Sequence, residues 1–266
     1  MNHIDAIKEA SCLTRNHATY ARIAEASYNF SEKNKTVGKA TRNDKYTTSK
    51  DNGFQGCVYE LGDTVIVAYR GSDQGSIFDG KLDWFSNSQM AKNEIPEQYN
   101  DALELYQKAA SDPKYKDKKF IVTGHSLGGS LAELVSGTTA LGEKTPNAIT
   151  FNSFGTTPIV NNSNGRLKIN NENTNYYIKT DKWIGAVRDH NGMDISLFPK
   201  SKNPDAGKIS FGKFTISGTD AHSISHFTKL KNKDYTVAYL TRNNKDTNTT
   251  QEIAQNKPQK ILTAES

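Results

Sequence analysis

A chain of 266 residues with 35% hydrophobic side chains is long enough for one large α/β domain or two small ones. Its net charge of +5 is spread along the chain with no basic run interleaved with aromatics, so nucleic acid is not an expected partner. The two cysteines, Cys12 and Cys57, are too few for a disulfide framework and show no metal-ligand spacing, and no apolar run approaches the ~18 residues of a membrane-spanning helix.

Residues 4–29 read as a helix, with Tyr20, Ile23, Ala24 and Tyr28 at helical spacing. Residues 31–53, rich in Lys, Asn, Thr and Ser, read as a loop. Two strand-like runs follow, Gln55–Leu61 and Thr64–Tyr69, joined by Gly62-Asp63, a dipeptide suited to a tight hairpin. The second run ends in Arg70-Gly71-Ser72. Residues 73–95 lack periodicity yet carry Ile77, Phe78, Leu82, Trp84, Phe85 and Met90. Pro96 is placed to open a helix that runs to about Ala110, with Tyr99, Ala102, Leu103 and Tyr106 inward.

After a charged loop at 112–119, residues 120–123 (Phe-Ile-Val-Thr) read as a buried strand. The helix after it carries Leu127, Leu131, Leu134 and Val135 on one face. A strand at 148–152 leads into Ser153-Phe154-Gly155, and residues 161–174 read as an Asn-rich loop. Asn175–Lys179 is a further strand ending at Thr180-Asp181, and residues 235–240 read as a late strand or a short helix. The polar segment 243–266 is expected to be a mobile tail behind a single domain at 1–242. Both cysteines are expected as buried free thiols. Residues 1–15 carry Asp5, Lys8 and Glu9 without an apolar stretch, so no Sec signal is expected there.

Between strand and helix stands Gly124-His125-Ser126-Leu127-Gly128-Gly129, which contains G-x-S-x-G. Strand, tight turn and helix are the context a nucleophile elbow requires, in which the turn lifts a serine Oγ clear of the sheet. The glycines answer to crowding by neighbouring backbone. The N–H of Leu127, at the helix N-terminus, would face a developing oxyanion. An idle serine on a glycine-rich turn is the alternative. A phosphate-cradling loop is disfavoured, because no Lys-Ser/Thr pair follows the glycines. His125, beside the serine, reads as packing support.

A serine nucleophile needs a base, and the base needs an orienting acid. His190, His222 and His226 follow Ser126. His222 is favoured, on a polar turn in Thr-Asp-Ala-His-Ser-Ile before Phe227, with His226 next. Asp181 is favoured as the acid because it directly follows a strand, whereas Asp189 and Asp194 flank the turn-like His190-Asn191-Gly192 and read as solvated loop carboxylates. Ser72, also at a strand end, can supply a second oxyanion donor through its N–H and hydroxyl, each donor worth about 3 kcal/mol of barrier. Ser72, Ser126 and Asp181 thus all follow strands, where open α/β sheets bind their ligands.

These segments together resemble the class 3 lipase family, which includes bacterial phospholipases A1 and fungal triacylglycerol lipases. Residues 65–72 are similar to its strand ending in Phe-Arg-Gly-Thr/Ser, Asp83-Trp84 to the Asn/Asp-Trp that follows, and 121–129 to its elbow. Residues 148–155 resemble its next strand, 177–184 its aspartate segment, and His222 to Phe227 its histidine with a trailing aromatic. Asn87 stands where many members carry an aspartate, and Lys182-Trp183 replaces the usual Ile/Val-Val-Pro.

The resemblance spans about residues 17–230. It implies an α/β-hydrolase fold, a central and mostly parallel sheet flanked by helices. It also implies acyl-ester hydrolysis of lipid or phospholipid, possible at a membrane surface, by a Ser126–His222–Asp181 triad with Ser72 and Leu127 as oxyanion donors and with neither cofactor nor metal. Residues 73–95 would then be a lid, or else ordinary core. Two other readings stay open: a non-catalytic lipid- or partner-binding protein on the same fold, and an esterase of thioesters, small esters or peptides. For such a hydrolase, export by a route other than Sec is expected, with the cytoplasm as the alternative.

Overall fold

The computed structural model describes residues 17–72, 92–139, 145–167, 175–179, 193–199, 208–211, 214–217, 224–228 and 235–241. Its centre is a nine-stranded sheet of β1 (Thr36–Val37), β2 (Ala40–Ser49), β3 (Gln55–Leu61), β4 (Thr64–Tyr69), β5 (Lys119–His125), β6 (Asn147–Phe151), β7 (Asn175–Lys179), β8 (Met193–Pro199) and β11 (Tyr235–Thr241), adjacent in that order. Strands β4 to β8 are mutually parallel, while β1 to β4 and the β8–β11 pair are antiparallel. A separate hairpin joins β9 (Lys208–Phe211) to β10 (Phe214–Ser217).

Strands β4, β5 and β6 are covered on both faces, which is why they read as continuous apolar runs. Side chains alternate across the sheet with a period of two. Val65, Val67 and Tyr69 of β4, with Phe120 and Val122 of β5, pack against the helices α2 (Tyr99–Ala110) and α3 (Leu127–Thr138) through Leu105, Tyr106, Leu131 and Val135. Ile66, Ala68, Ile121, Ile149 and Phe151 face the opposite layer. That layer is made by α1 (His17–Ala26), with Tyr20 and Ile23, and by α5 (Ser225–Thr228), with Phe227. A short helix, α4 (Thr157–Asn161), follows β6 and buries Ile159 and Val160.

Several expectations change. Residues 31–53 are not a loop: they contain β1 and the ten-residue β2. This strand buries Ala40, Arg42 and Tyr46 and turns polar side chains outward. Arg42 occupies an inward position because its guanidinium pairs with Asp44 at 3.0 Å and lies 5.7 Å from the Phe30 ring centre. The second helix begins at Tyr99 rather than Pro96, whose carbonyl accepts the Tyr99 N–H at 2.9 Å in the turn before it. Residues 157–161, of which only the last falls in the expected loop at 161–174 and the others in no expected element, are helical, residues 235–241 form a strand, and β8, β9 and β10 are strands that no sequence pattern singled out. Asp194 lies within β8, opposite Tyr177, and not on a loop. Residues 4–16 of the expected first helix, Cys12, residues 73–91 of the proposed lid and the 243–266 tail lie outside the described residues. Among the described residues no helix is long and apolar enough to cross a membrane.

Two outcomes follow from this packing. Phe227 is fully buried with its ring centre 5.0 Å from that of Phe151, so Phe227→Ala should cost about 3–5 kcal/mol in urea-induced unfolding. Cys57 is also fully buried, and burial pushes its thiol up to about 12. In a Cys12→Ser background, a thiol-specific chromogenic reagent at pH 8 should therefore find no fast-reacting group until denaturant is added, since only the thiolate reacts.

Candidate active site

Register in the parallel sheet decides which segments meet. Tyr69 pairs with Gly124, His125 with Phe151, and Phe151 with Ile178, so the carboxyl ends of β4, β5, β6 and β7 open on one edge. Arg70-Gly71-Ser72 leaves β4 there and Ser126 leaves β5. Lys179 ends β7 two residues before Asp181.

Ser126 sits between β5 and α3 with φ 55 and ψ −126, a backbone conformation outside the helical and extended regions. Its N–H donates to the Phe151 carbonyl at 3.1 Å, and its own carbonyl accepts the Ser130 N–H at 3.2 Å as the first bond of the helix. The residue is 7% exposed. A strained serine at a strand-to-helix turn is the geometry of a nucleophile elbow, in which the surrounding structure must hold the conformation.

The glycines around it are steric requirements. A methyl group on Gly128 would run into the Tyr69 carbonyl of β4, and one on Gly124 would run into the backbone of Gly128. On Gly129 it would lie 2.6 Å from the Ser153 Cβ. Gly71 is pressed against the elbow from the β4 side: its methyl group would meet the Tyr28 hydroxyl and the His125 carbonyl, and would stand 3.3 Å from the Ser126 Cβ. The backbone that carries Ser72 therefore passes beside Ser126. Leu127, 2% exposed, is the first residue of α3, so its N–H is one of the helix's unsatisfied N-terminal donors.

His125 is 1% exposed, and its Nδ1 lies 3.0 Å from the Tyr28 hydroxyl, with the two rings tilted at 53°. It ties the end of the α1 segment to the elbow. Sequence reasoning placed Tyr28 only on a helix face and missed this contact. It also missed Glu133, which is buried in α3 and accepts hydrogen bonds from Thr150, Ser153 and Thr156. The available signal was that Glu133 is the one charged residue in the twelve of α3.

The structure thus brings together Ser126, Leu127 and the Gly71-Ser72 backbone. Asp181, Asp189, His190, His222 and Asn87 lie outside the described residues. The flanks of His222 are nonetheless instructive. Ile224, two residues on, is buried, and Phe227 packs on Phe151, the residue whose carbonyl holds the Ser126 N–H. His226 belongs to α5.

Comparison with known proteins agrees with this geometry. The sequence model of the Tle-like phospholipase domain matches residues 19–183, more than half of the chain. A search of curated proteins finds no match. Among solved structures, a triacylglycerol lipase from Penicillium expansum is similar at TM-score 0.50 and 14% identity, over 70% of this chain and 80% of that one. Lipase II from Rhizopus niveus is similar at TM-score 0.46 and 16% identity over the same shares of the two chains, and Lip2 lipase from Yarrowia lipolytica at 0.43 and 14%, over 70% of this chain and 78% of that one. With the elbow and strands β4 to β7 inside the matched region, this chain belongs to the Tle-like phospholipase domains, a family of lipid ester hydrolases, and has the α/β-hydrolase fold.

Proposed function

We propose that this protein is a serine-dependent phospholipase of the A type, cleaving a fatty acyl ester of a phospholipid through an acyl-enzyme. One observation carries the reading: Ser126 is held at φ 55, ψ −126 between β5 and α3, with the Gly71-Ser72 backbone against it.

In this mechanism the Ser126 Oγ attacks the ester carbonyl while His222 takes its proton. The carbonyl oxygen becomes an oxyanion, met by the Leu127 N–H and by the Ser72 N–H and hydroxyl. Collapse expels the lysophospholipid alkoxide, which takes the proton back from His222. Water, deprotonated by the same histidine, then attacks the acyl-enzyme and releases the fatty acid. Asp181 orients the imidazole and stabilises its cationic form.

Asp181 is supported by its sequence position two residues beyond β7, a strand that ends at the sheet edge where Ser126 emerges. His222 is supported by the docking of Ile224 and Phe227 beside β6. The phospholipid assignment rests on the family, and the net charge of +5 suits an anionic lipid surface. Residues 73–95 would form the lid between that surface and the serine.

Mass-spectrometric product analysis on vesicles of defined phospholipid should find a free fatty acid and the matching lysophospholipid. Ser126→Ala should lower that rate at least about a thousandfold and abolish labelling by a fluorophosphonate. Unchanged hydrolysis by Ser126→Ala would sink the proposal, and an unlabelled wild-type serine would favour a binding protein on the same fold. Gly71→Ala, by pushing Ser72 away from the elbow, should reduce kcat about a hundredfold on a short soluble ester with little change in KM, because a shift of about 1 Å in an oxyanion donor is felt only in the transition state.

A further inference from the structure

One buried titratable group plays no part in the mechanism above. Glu133 is 1% exposed, on the face of α3 that also carries Ser130, the two lying seven and four residues along from Ser126. A carboxyl group taken out of water is costly unless its oxygens are hydrogen-bonded. Here Thr150 donates to one oxygen at 3.2 Å, Ser153 donates to the same oxygen at closer range, and Thr156 donates to the other at 3.2 Å. All three donors are themselves buried, and the Thr150 and Ser153 hydroxyls lie 3.0 Å apart. One turn back, the Ser130 Oγ accepts the Phe154 N–H and donates to the Phe154 carbonyl, both at 3.0 Å.

The segment gripped in this way runs from the end of β6 to the start of α4. It contains Phe151, whose carbonyl holds the Ser126 N–H, and Asn152, whose φ of 44 follows the last residue of β6. Glu133 takes hold on both sides of that pair, at Thr150 before it and at Ser153 and Thr156 after it. A strained backbone of the kind Ser126 shows costs about 1–3 kcal/mol and persists only where its surroundings over-determine it. The Phe151 carbonyl is one such constraint, and it is only as firm as the segment that carries it.

We propose that Glu133 is a positioning residue for Ser126: by fixing residues 150–156 it keeps the Phe151 carbonyl where it holds the serine in its strained conformation. The proposal rests on the reading of Ser126 as the nucleophile. A carboxyl group suits the task because its two oxygens accept several hydrogen bonds at once. A glutamine of the same shape can keep the connections, since hydroxyls can accept from its amide as well as donate to its carbonyl. A leucine cannot.

The test measures kcat and KM on a short soluble ester for wild type, Glu133→Gln, Glu133→Leu and Ser126→Ala, below the thermal midpoint of each. Glu133→Leu should lose at least about tenfold in kcat with KM within about twofold, since the serine is displaced and the substrate cleft is not. Glu133→Gln should restore kcat to within about threefold of wild type. Wild-type kcat in Glu133→Leu overturns the proposal, and so does Glu133→Gln as impaired as the leucine variant. Should Glu133→Leu not fold, Ser153→Ala decides, because it withdraws one donor and leaves the carboxyl group in place: a fall in kcat at constant KM supports the proposal, and wild-type kcat overturns it. Ser126→Ala separates this idea from the one beneath it. If it matches an active wild type, the serine-hydrolase reading falls and the positioning role with it. If it is inactive while Glu133→Leu is fully active, the positioning role falls alone.

Discussion

At the start of α3 the helix rests on backbone, with no side chains between. Gly128 lies against the Tyr69 carbonyl of β4, Gly124 against Gly128 across the turn, and Gly71 against the His125 carbonyl. Three segments come closer there than any Cβ would permit, and the serine among them is forced into a conformation that it would not adopt alone. Without that approach α3 would stand further from the sheet, the Leu127 N–H would point elsewhere, and the strand end carrying Ser72 would not pass Ser126. Glycine is required at these places for space as much as for dihedral freedom.

The closeness is affordable because the sheet behind it is covered on both faces. α3 buries nearly its whole circumference, from Leu127 to Gly137, between β4, β5, β6 and α2. On the other face α1 and α5 pack on Ile66, Ile121, Ile149 and Phe151. The two layers are also linked at the elbow itself, where the Tyr28 hydroxyl meets His125 Nδ1. The polar contacts of Glu133 and Ser130 add direction to a core that apolar packing alone would leave free to slide, since hydrogen bonds have geometry and hydrophobic contact does not.

How far these features could be read in advance depended on how locally each is encoded. The strands β3, β4 and β7 fall where the apolar runs and the Gly62-Asp63 hairpin placed them, and in β3 and β4 burial on both faces writes itself into most residues. β2 was hidden by its composition. A strand flanked on one side by only the two-residue β1 needs few apolar residues, and one of its inward places is filled by an arginine whose guanidinium pairs with Asp44 and lies over the Phe30 ring. Its register with β3 shifts between Asn43 and Thr48, which breaks the alternation a period-two reading relies on. β8 is paired by partners on either side, β7 and β11, and β11 lies some forty residues on, so nothing local announces it.

The sequence by itself determined the elbow. Glycines, serine and leucine in that spacing, after a buried strand and before an apolar helix, leave the chain little else to do, because steric exclusion and strand–helix geometry act over a few residues. It also determined that the segments bearing Ser72, Ser126 and Asp181 follow strands. Only the tertiary structure decided that β4, β5, β6 and β7 lie side by side and parallel, so that those strand ends share one edge. It alone decided that the Tyr28 hydroxyl reaches His125, and that a lone glutamate in the elbow helix takes hold of the chain around Phe151. Those are contacts between residues tens of positions apart, and their free energy exists only once the sheet has brought the partners together.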